Sequence, residues 1–260
     1  LHWMVHSFPT RRSSDLDFKY DFLVIASGSQ TNFYGNNNIE SNSCKLDSVD
    51  DAVRLLRLLE ESNFKTYIIA GAGYTGIEVA TNLSLFLHRR KLSAEIILVE
   101  RAPSVLGMAP DWMKDYVLSN LSKMGIKIMN QVTIEKIEAK KVSLSAGITF
   151  DNALVIWSAG VRTADFIQNL PVQKSPQGRI QVDEYLRLNE NCFVAGDASY
   201  VLNGSTALRM AVQFSITQAV LISKNIINAI KSRSLIKYKP VDLGFIFYQA
   251  ARFYRIDYIL

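Results

Sequence analysis

The sequence predicts an α/β fold, a parallel sheet with a β-meander beside it, and three observations carry that expectation. A β-branched apolar run at 66–70 leads into glycines at 71, 73 and 76, then into helical spacing from about Tyr74 to Arg90. A second apolar strand at 94–100 follows that helix and ends in an acid. Three short alternating segments, 126–137, 141–144 and 150–157, are rich in β-branched residues and predict an antiparallel meander closing onto the sheet.

The remaining elements fall into place around these. Residues 20–29 read as a buried strand, apolar on both faces and ending in small residues that suit close backbone approach. Residues 31–42 are polar and without period, which predicts a loop. Ser48 is placed to cap a helix with Asp50 and Asp51 in its first turn and Val53, Leu55, Leu56 and Leu59 on its apolar side. Asp111 opens another helix through Lys123, and Gly125 supplies its stop. Residues 180–183 and 191–197 read as short strands, the second ending in Gly196-Asp197. Residues 207–229 have helical spacing, broken near 215–217.

Composition narrows the class. A chain of 260 residues has room for one large or two modest domains, and 48% hydrophobic with 20% charged residues is ordinary for a globular protein, so disorder is not the expectation. Two cysteines, Cys44 and Cys192, make neither a disulfide framework nor a zinc site, and they fit a reducing compartment. Cys192 lies beside an apolar strand and is expected to be buried; Cys44, in a polar loop, is expected to be exposed. The net charge of +5 gathers toward the C-terminal end, at Lys224, Lys231, Arg233, Lys237, Lys239, Arg252 and Arg255. No nucleic-acid motif accompanies these residues, so nucleic acid is not expected as a partner. They read either as a solvated face or as a contact with anionic headgroups. No apolar run reaches the ~18 residues that would span a bilayer. Residues 1–16, Arg- and Ser-rich, are read as a non-native leader and kept out of the fold.

The glycine turn carries the chemistry. In strand–turn–helix context, Gly71, Gly73 and Gly76 let the backbone turn sharply, approach a pyrophosphate closely and pack the helix on its strand. Phosphates would then sit at the helix N-terminus, on free N–H groups and the positive end of the dipole. Glu100 would accept hydrogen bonds from an adenosine ribose and repel a 2′-phosphate, which favours NADH over NADPH; Arg101 beside it can pair with such a phosphate.

The strand at 21–29, Gly71-x-Gly73-x-x-Gly76-x-Glu78, Glu100, Trp157-Ser-Ala-Gly160-Val161 and Val194-Ala-Gly196-Asp197 form an ordered set. Over residues 17 to about 225 it resembles the pyridine nucleotide–disulfide oxidoreductase superfamily, flavoproteins with two dinucleotide-binding domains. Within it, Trp157 to Val161 and Ala211-Val-Gln213 make the chain most similar to type II NADH dehydrogenases. The resemblance implies FAD and NADH as cofactors, hydride passing from NADH to FAD and electrons on to a quinone. It implies a Rossmann-like NAD(P)-binding domain at 44–162, inserted in a partial FAD-binding domain made of 17–43 and a return segment at 163–225. Residues 226–260 would begin a C-terminal region.

Site roles follow from the same resemblance. Gly196 and Asp197 belong at the FAD ribityl chain, and Ala26 and Gly28 near the flavin. Ala159 and Gly160 belong to the cofactor-binding set. Ala211 opens a helix whose N-terminus faces the flavin ring and stabilises its anionic reduced form. The catalytic candidates are Glu78, near the nicotinamide, and Gln213, on the quinone side. Arg209 and Phe214 stand where that helix carries its other glutamines in the family. No metal is implied, and His2, His6 and His88 form no catalytic arrangement. Disulfide, ferredoxin or peroxide acceptors, and a fragment that only binds NADH, are the alternatives. The resemblance further implies an internal fragment, inactive alone, from a cytoplasmic homodimer with peripheral contact on the inner face of the cell membrane.

Overall fold

The structure, a computed structural model, describes residues 19–107, 109–249 and 252–256. The leader at 1–16 lies outside the described residues, as does the end of the C-terminal region at 257–260. The described chain enters through β1 (Leu23–Ile25) and β2 (Ser29–Thr31), then crosses by α1 (Asn37–Asn42) and α2 (Val49–Glu61). It then builds β3 (Thr66–Ala70), α3 (Tyr74–Arg90), β4 (Glu95–Glu100), α4 (Asp111–Lys123) and β5 (Lys127–Asn130). A meander of β6 (Ile134–Glu138), β7 (Lys141–Leu144) and β8 (Thr149–Phe150) leads to β9 (Ala153–Trp157). β10 (Val161–Thr163) returns antiparallel beside β2, so the outgoing and incoming chains are paired. Then come α5 (Asp165–Gln168), β11 (Ile180–Gln181), β12 (Arg187–Asn189), β13 (Cys192–Val194) and β14 (Ser199–Tyr200). β15 (Leu202–Asn203) and β16 (Thr206–Ala207) precede α6 (Val212–Ile230), and β17 (Phe245–Gln249) and β18 (Arg252–Ile256) form a hairpin.

The strands β5-β4-β3-β9 make a wholly parallel sheet of Rossmann type. β3 and β9 are buried along their whole length, as strands covered on both faces must be. Alternation sorts their side chains. Tyr67, Ile69, Leu98 and Ile156 pack with Leu59 of α2, Ile77 of α3 and Met113 of α4. Ile68, Ile97, Val99 and Val155 pack the other way, with Ile137, Val142 and Leu144 of the meander. The result is three layers: helices, parallel sheet, meander. Each fully buried Ile or Leu contributes about 1.5–3 kcal/mol relative to exposure.

Local signals end the helices where the sequence places them. α2 opens on a capping box, Asp51 N–H donating to Ser48 Oγ and Ser48 N–H to Asp51 Oδ2. α3 closes with His88, Arg89 and Arg90 in its last turn, cations at the negative end of the dipole. The second lobe is smaller. Its sheet, β1-β13-β12, packs Phe193 and Leu186 against Phe214 and Ile222 of α6.

The structure corrects several expectations. Residues 126–137 are two strands: β5 joins the parallel sheet and only β6 enters the meander. Residues 150–157 likewise divide between β8 and β9. β-branched content marks both kinds of strand and cannot separate them. The loop at 31–42 contains α1, whose Ile39 N–H donates to the Asn36 side chain; one buried residue in six is too few to show a period. On α2, Leu55 and Leu59 share the buried face, four residues apart, while Val53 and Leu56 are exposed. α6 is unbroken, because the Thr217 hydroxyl donates back to the Gln213 carbonyl and leaves the helix intact; it starts at Val212, not near 207. Cys44 is buried: its N–H donates to the Val155 carbonyl and its own carbonyl accepts from Trp157 N–H, extending the parallel sheet past β9. The strand expected at 20–29 is short and half open. β1 spans three residues, and Leu23 and Val24 are exposed because no layer of the described residues covers them.

Candidate functional site

The carboxyl ends of β3, β4 and β9 open into a cleft of about 600 Å³. Gly71 and Gly73 line it after β3, Glu100 and Arg101 after β4, and Ser158, Ala159 and Gly160 after β9. The three motif glycines have different jobs. Gly71 has φ +94, and a Cβ there would lie 2.8 Å from the Ala159 Cα. Gly76 is packed under the turn, where any side chain would collide with the Gly71 carbonyl. Gly73 is open, with nothing within 4 Å of a Cβ position, and it starts α3 without a side-chain cap. α3 thus opens without a side-chain cap where Gly73 lines the cleft, a helix start that fits a diphosphate.

Glu100 is held beside the glycine turn. Its Oε2 accepts from Ala72 N–H at 2.7 Å and its Oε1 from Ala102 N–H at 2.8 Å. The carboxylate staples the glycine turn to the loop after β4 and still has lone pairs for a ribose hydroxyl. The sequence missed a second wall. Asn32 N–H donates to the Gly160 carbonyl at 3.0 Å, and Trp157 Nε1 donates to the Asn32 carbonyl at 2.9 Å. Phe33 packs on Trp157 with ring centroids 5.9 Å apart. These contacts bring Phe33 and Tyr34 into the cleft across more than a hundred residues of chain, a pairing no local pattern signals.

A second cavity, about 330 Å³, opens where β1 and β13 end and α6 begins. It gathers Ala26, Gly28, Gly196, Asp197 and Ala211, all named from sequence. Gly28 and Gly196 have φ +66 and +65, conformations that suit glycine. Asp197 Oδ2 accepts from Ser29 Oγ at 2.7 Å. α6 starts at Ala211 without a side-chain cap, so its N-terminal amides face the cavity edge. Backbone opened by two glycines, a carboxylate and an uncapped helix start together fit an anionic, hydroxyl-rich cofactor.

Two supports were missed. Buried Gln218 accepts at Oε1 from Gly196 N–H (2.6 Å) and from Ser199 Oγ (3.1 Å), fixing the turn. Its signal was present, an amide in the buried stripe of Phe214, Gln218, Ile222 and Asn225. Buried Arg179 donates from Nε to the Ser199 carbonyl (2.9 Å) and from Nη1 to the Leu208 carbonyl (2.7 Å), holding the chain between β14 and α6. Burial pulls its pKa below the usual arginine value, and the Asp197 charge opposes that pull.

The two catalytic candidates sit apart from these openings. Gln213 faces residues 242–244: its Nε2 donates to Asp242 Oδ1 at 3.0 Å and its Oε1 accepts from Leu243 N–H at 2.9 Å. Arg209 grips the same Asp242 carboxylate at 2.6 Å. Glu78 is half-buried one turn along α3 and is not among the residues lining the cleft. Among the described residues no helix is long and apolar enough to cross a membrane, and no acid, histidine and cysteine group is placed to hold a metal.

A glycine turn at the carboxyl edge of a parallel sheet, joined by paired strands to a second lobe with its own glycine-opened cavity, defines a two-lobed α/β dinucleotide-binding protein. The sequence pattern agrees over residues 4–220, and the chain belongs to the pyridine nucleotide-disulphide oxidoreductase family. An internal alternative NAD(P)H-ubiquinone oxidoreductase of Arabidopsis thaliana mitochondria is 26% identical over 211 residues, covering 72% of this chain and 41% of that protein. An NADH dehydrogenase-like protein of Mycobacterium tuberculosis is 30% identical over 204 residues, covering 72% and 50%. Demethylphylloquinone reductase of Synechocystis is 29% identical over 190 residues, covering 69% and 46%. The chain spans about half the length of these curated relatives. Among solved structures, NDH2 of Plasmodium falciparum in complex with NADH superposes with a TM-score of 0.77 at 16% identity, covering 90% of this chain and 68% of that one, which shows a shared fold.

Proposed function

We propose that this chain forms the NADH-binding and flavin-contacting part of a flavin-dependent NADH dehydrogenase, which passes hydride from NADH to FAD and electrons on to a quinone. The observation that carries the reading is the pairing of two openings: the cleft at Gly73 and Glu100, and the cavity at Gly28, Gly196 and Asp197. The relatives' names, NAD(P)H-ubiquinone oxidoreductase and demethylphylloquinone reductase, support a quinone as acceptor.

FAD, when bound, supplies the two-electron chemistry; the chain supplies position and electrostatics. The first turn of α3 holds the diphosphate of NADH on its amides. Glu100 holds the adenosine ribose and disfavours a 2′-phosphate by like charge. Asp197, oriented by Ser29 Oγ, takes a hydroxyl of the flavin's polyol chain. The start of α6 directs its positive dipole end at the flavin side and favours negative charge there. None of these roles moves a proton, in keeping with a hydride transfer that needs no protein acid or base. A peripheral contact with anionic lipid belongs to the same proposal; Lys224, Lys237 and Lys239 line one groove with Val220 and Ile236.

Two measurements test the reading. NADH fluorescence titrated against this chain should saturate; a folded chain that takes up no NADH overturns the site. A polypeptide of the relatives' length carrying this chain should oxidise NADH when a short-chain quinone is added. Turnover with a disulfide, ferredoxin or peroxide instead of quinone overturns the acceptor.

A further inference from the structure

The cleft contains an aromatic side chain that nothing in the glycine motif calls for. Tyr34 is 62% exposed, lines the cleft, and sits in the left-handed region with φ 53, followed by Gly35 with φ 75. That backbone conformation is uncommon for a bulky residue. The turn around it is well anchored. Tyr34 N–H donates to Asn32 Oδ1 at 2.9 Å, Asn36 N–H to the Phe33 carbonyl at 3.0 Å, and Asn32 N–H to the Gly160 carbonyl at 3.0 Å. The backbone is fixed and the ring is left facing the cleft.

The sheet order says which part of a dinucleotide meets that ring. β4 and β9 flank β3 on opposite sides. With the diphosphate at Gly73 after β3 and the adenosine ribose at Glu100 after β4, the second nucleoside must extend the other way, to the end of β9. Tyr34 stands there: its hydroxyl lies against Gly160, where any Cβ would collide with it. We infer that Tyr34 is the wall on which the nicotinamide ring of the bound dinucleotide packs, and that it fixes the position of that ring. This rests on the dinucleotide reading of the cleft.

The test compares NADH with ADP-ribose, which keeps the adenosine, the diphosphate and the second ribose but lacks the nicotinamide. Tyr34→Gly keeps the left-handed backbone accessible, so the turn survives while the ring is lost. Titrating the chain, Tyr34→Gly should weaken NADH roughly three- to tenfold, the range of an aromatic packing contribution. ADP-ribose should bind the variant as it binds the parent, and Tyr34→Phe should keep both affinities. Equal weakening of both ligands, no change in either, or a loss in Tyr34→Phe as large as in Tyr34→Gly overturns the role. A parent chain that takes up neither ligand overturns the dinucleotide site itself, and this role with it.

Discussion

The lobe built on β3 closes its own core, and the lobe built on β13 does not. In the first, strands are covered by helices on one face and by the meander on the other, and β3 and β9 have no exposed residue. In the second, β1 leaves Leu23 and Val24 exposed, and α6 leaves Val212, Ile216 and Val220 exposed along one side. Alternating apolar strands therefore mean different things in the two lobes. Where both faces find a layer, the cleft at their ends rests on a rigid base. Where one face is open, the cavity depends on individual ties, Gln218 to Gly196 and Arg179 to the carbonyls of Ser199 and Leu208.

The largest expected effect tests that contrast directly. Ile68 is fully buried between sheet and meander, so Ile68→Ala should cost about 2–5 kcal/mol in urea unfolding of the chain. Val24→Ala, on the open face of β1, should stay within about 0.5 kcal/mol. Similar losses at both positions would remove the distinction between the lobes.

Binding should divide in the same way. Gly73→Val places its side chain in open space, so the fold should survive while the diphosphate loses its approach. NADH affinity should fall tenfold or more, since a charge-assisted hydrogen bond contributes roughly 1.5–3 kcal/mol. Asp197→Ala should leave NADH affinity unchanged and lower flavin occupancy in a polypeptide of the relatives' length. A single substitution that abolished both would show one joint site in place of two.

Glu100→Gln is a smaller perturbation. A glutamine must turn its NH2 toward either Ala72 N–H or Ala102 N–H, so one backbone donor loses its acceptor. NADH affinity should fall several-fold and NADPH affinity less, moving their ratio toward one. If both fall together with the ratio fixed, Glu100 acts only as the staple of the glycine turn.

What was legible in the sequence has a physical pattern. The bounds of α3 and α4 were readable because the breakers Gly73, Pro110 and Gly125 and the helical period agree locally over 17 and 13 residues. Ala26 and Gly28 were legible as small residues at a strand end, whereas Gly196 and Asp197 were singled out only through the family resemblance. Strand partnership was not, because β5 and β6 have similar composition and only pairing tells parallel from antiparallel. Cys44 looked like a polar-loop residue, yet one residue with two backbone bonds to the sheet is enough to bury it. Tyr34 was invisible for the same reason: its place is set by Gly160 and Trp157, far along the chain.

The joint between the lobes offers the mildest and most specific test. Asp47, just before α2, accepts from the Thr31 hydroxyl at 2.5 Å and from Thr31 N–H at 3.2 Å, and it pairs with Lys45 at 3.1 Å. It therefore ties the entry of the first lobe to β2, one of the two connecting strands. Burial pushes the Asp47 carboxyl up, but the Thr31 bonds and Lys45 outweigh that and hold it below the ordinary carboxylate value. A depressed folded pKa means that the tie stabilises the fold above the unfolded value, about 3.9. The contribution is lost as pH falls through the folded value. Asp47→Asn lacks this dependence. The difference in urea midpoint between the parent chain and Asp47→Asn should be widest near neutral pH and should shrink steadily below pH of about 4. A difference that stays flat, or widens in acid, would mean that the carboxylate is not what joins the entry of α2 to β2.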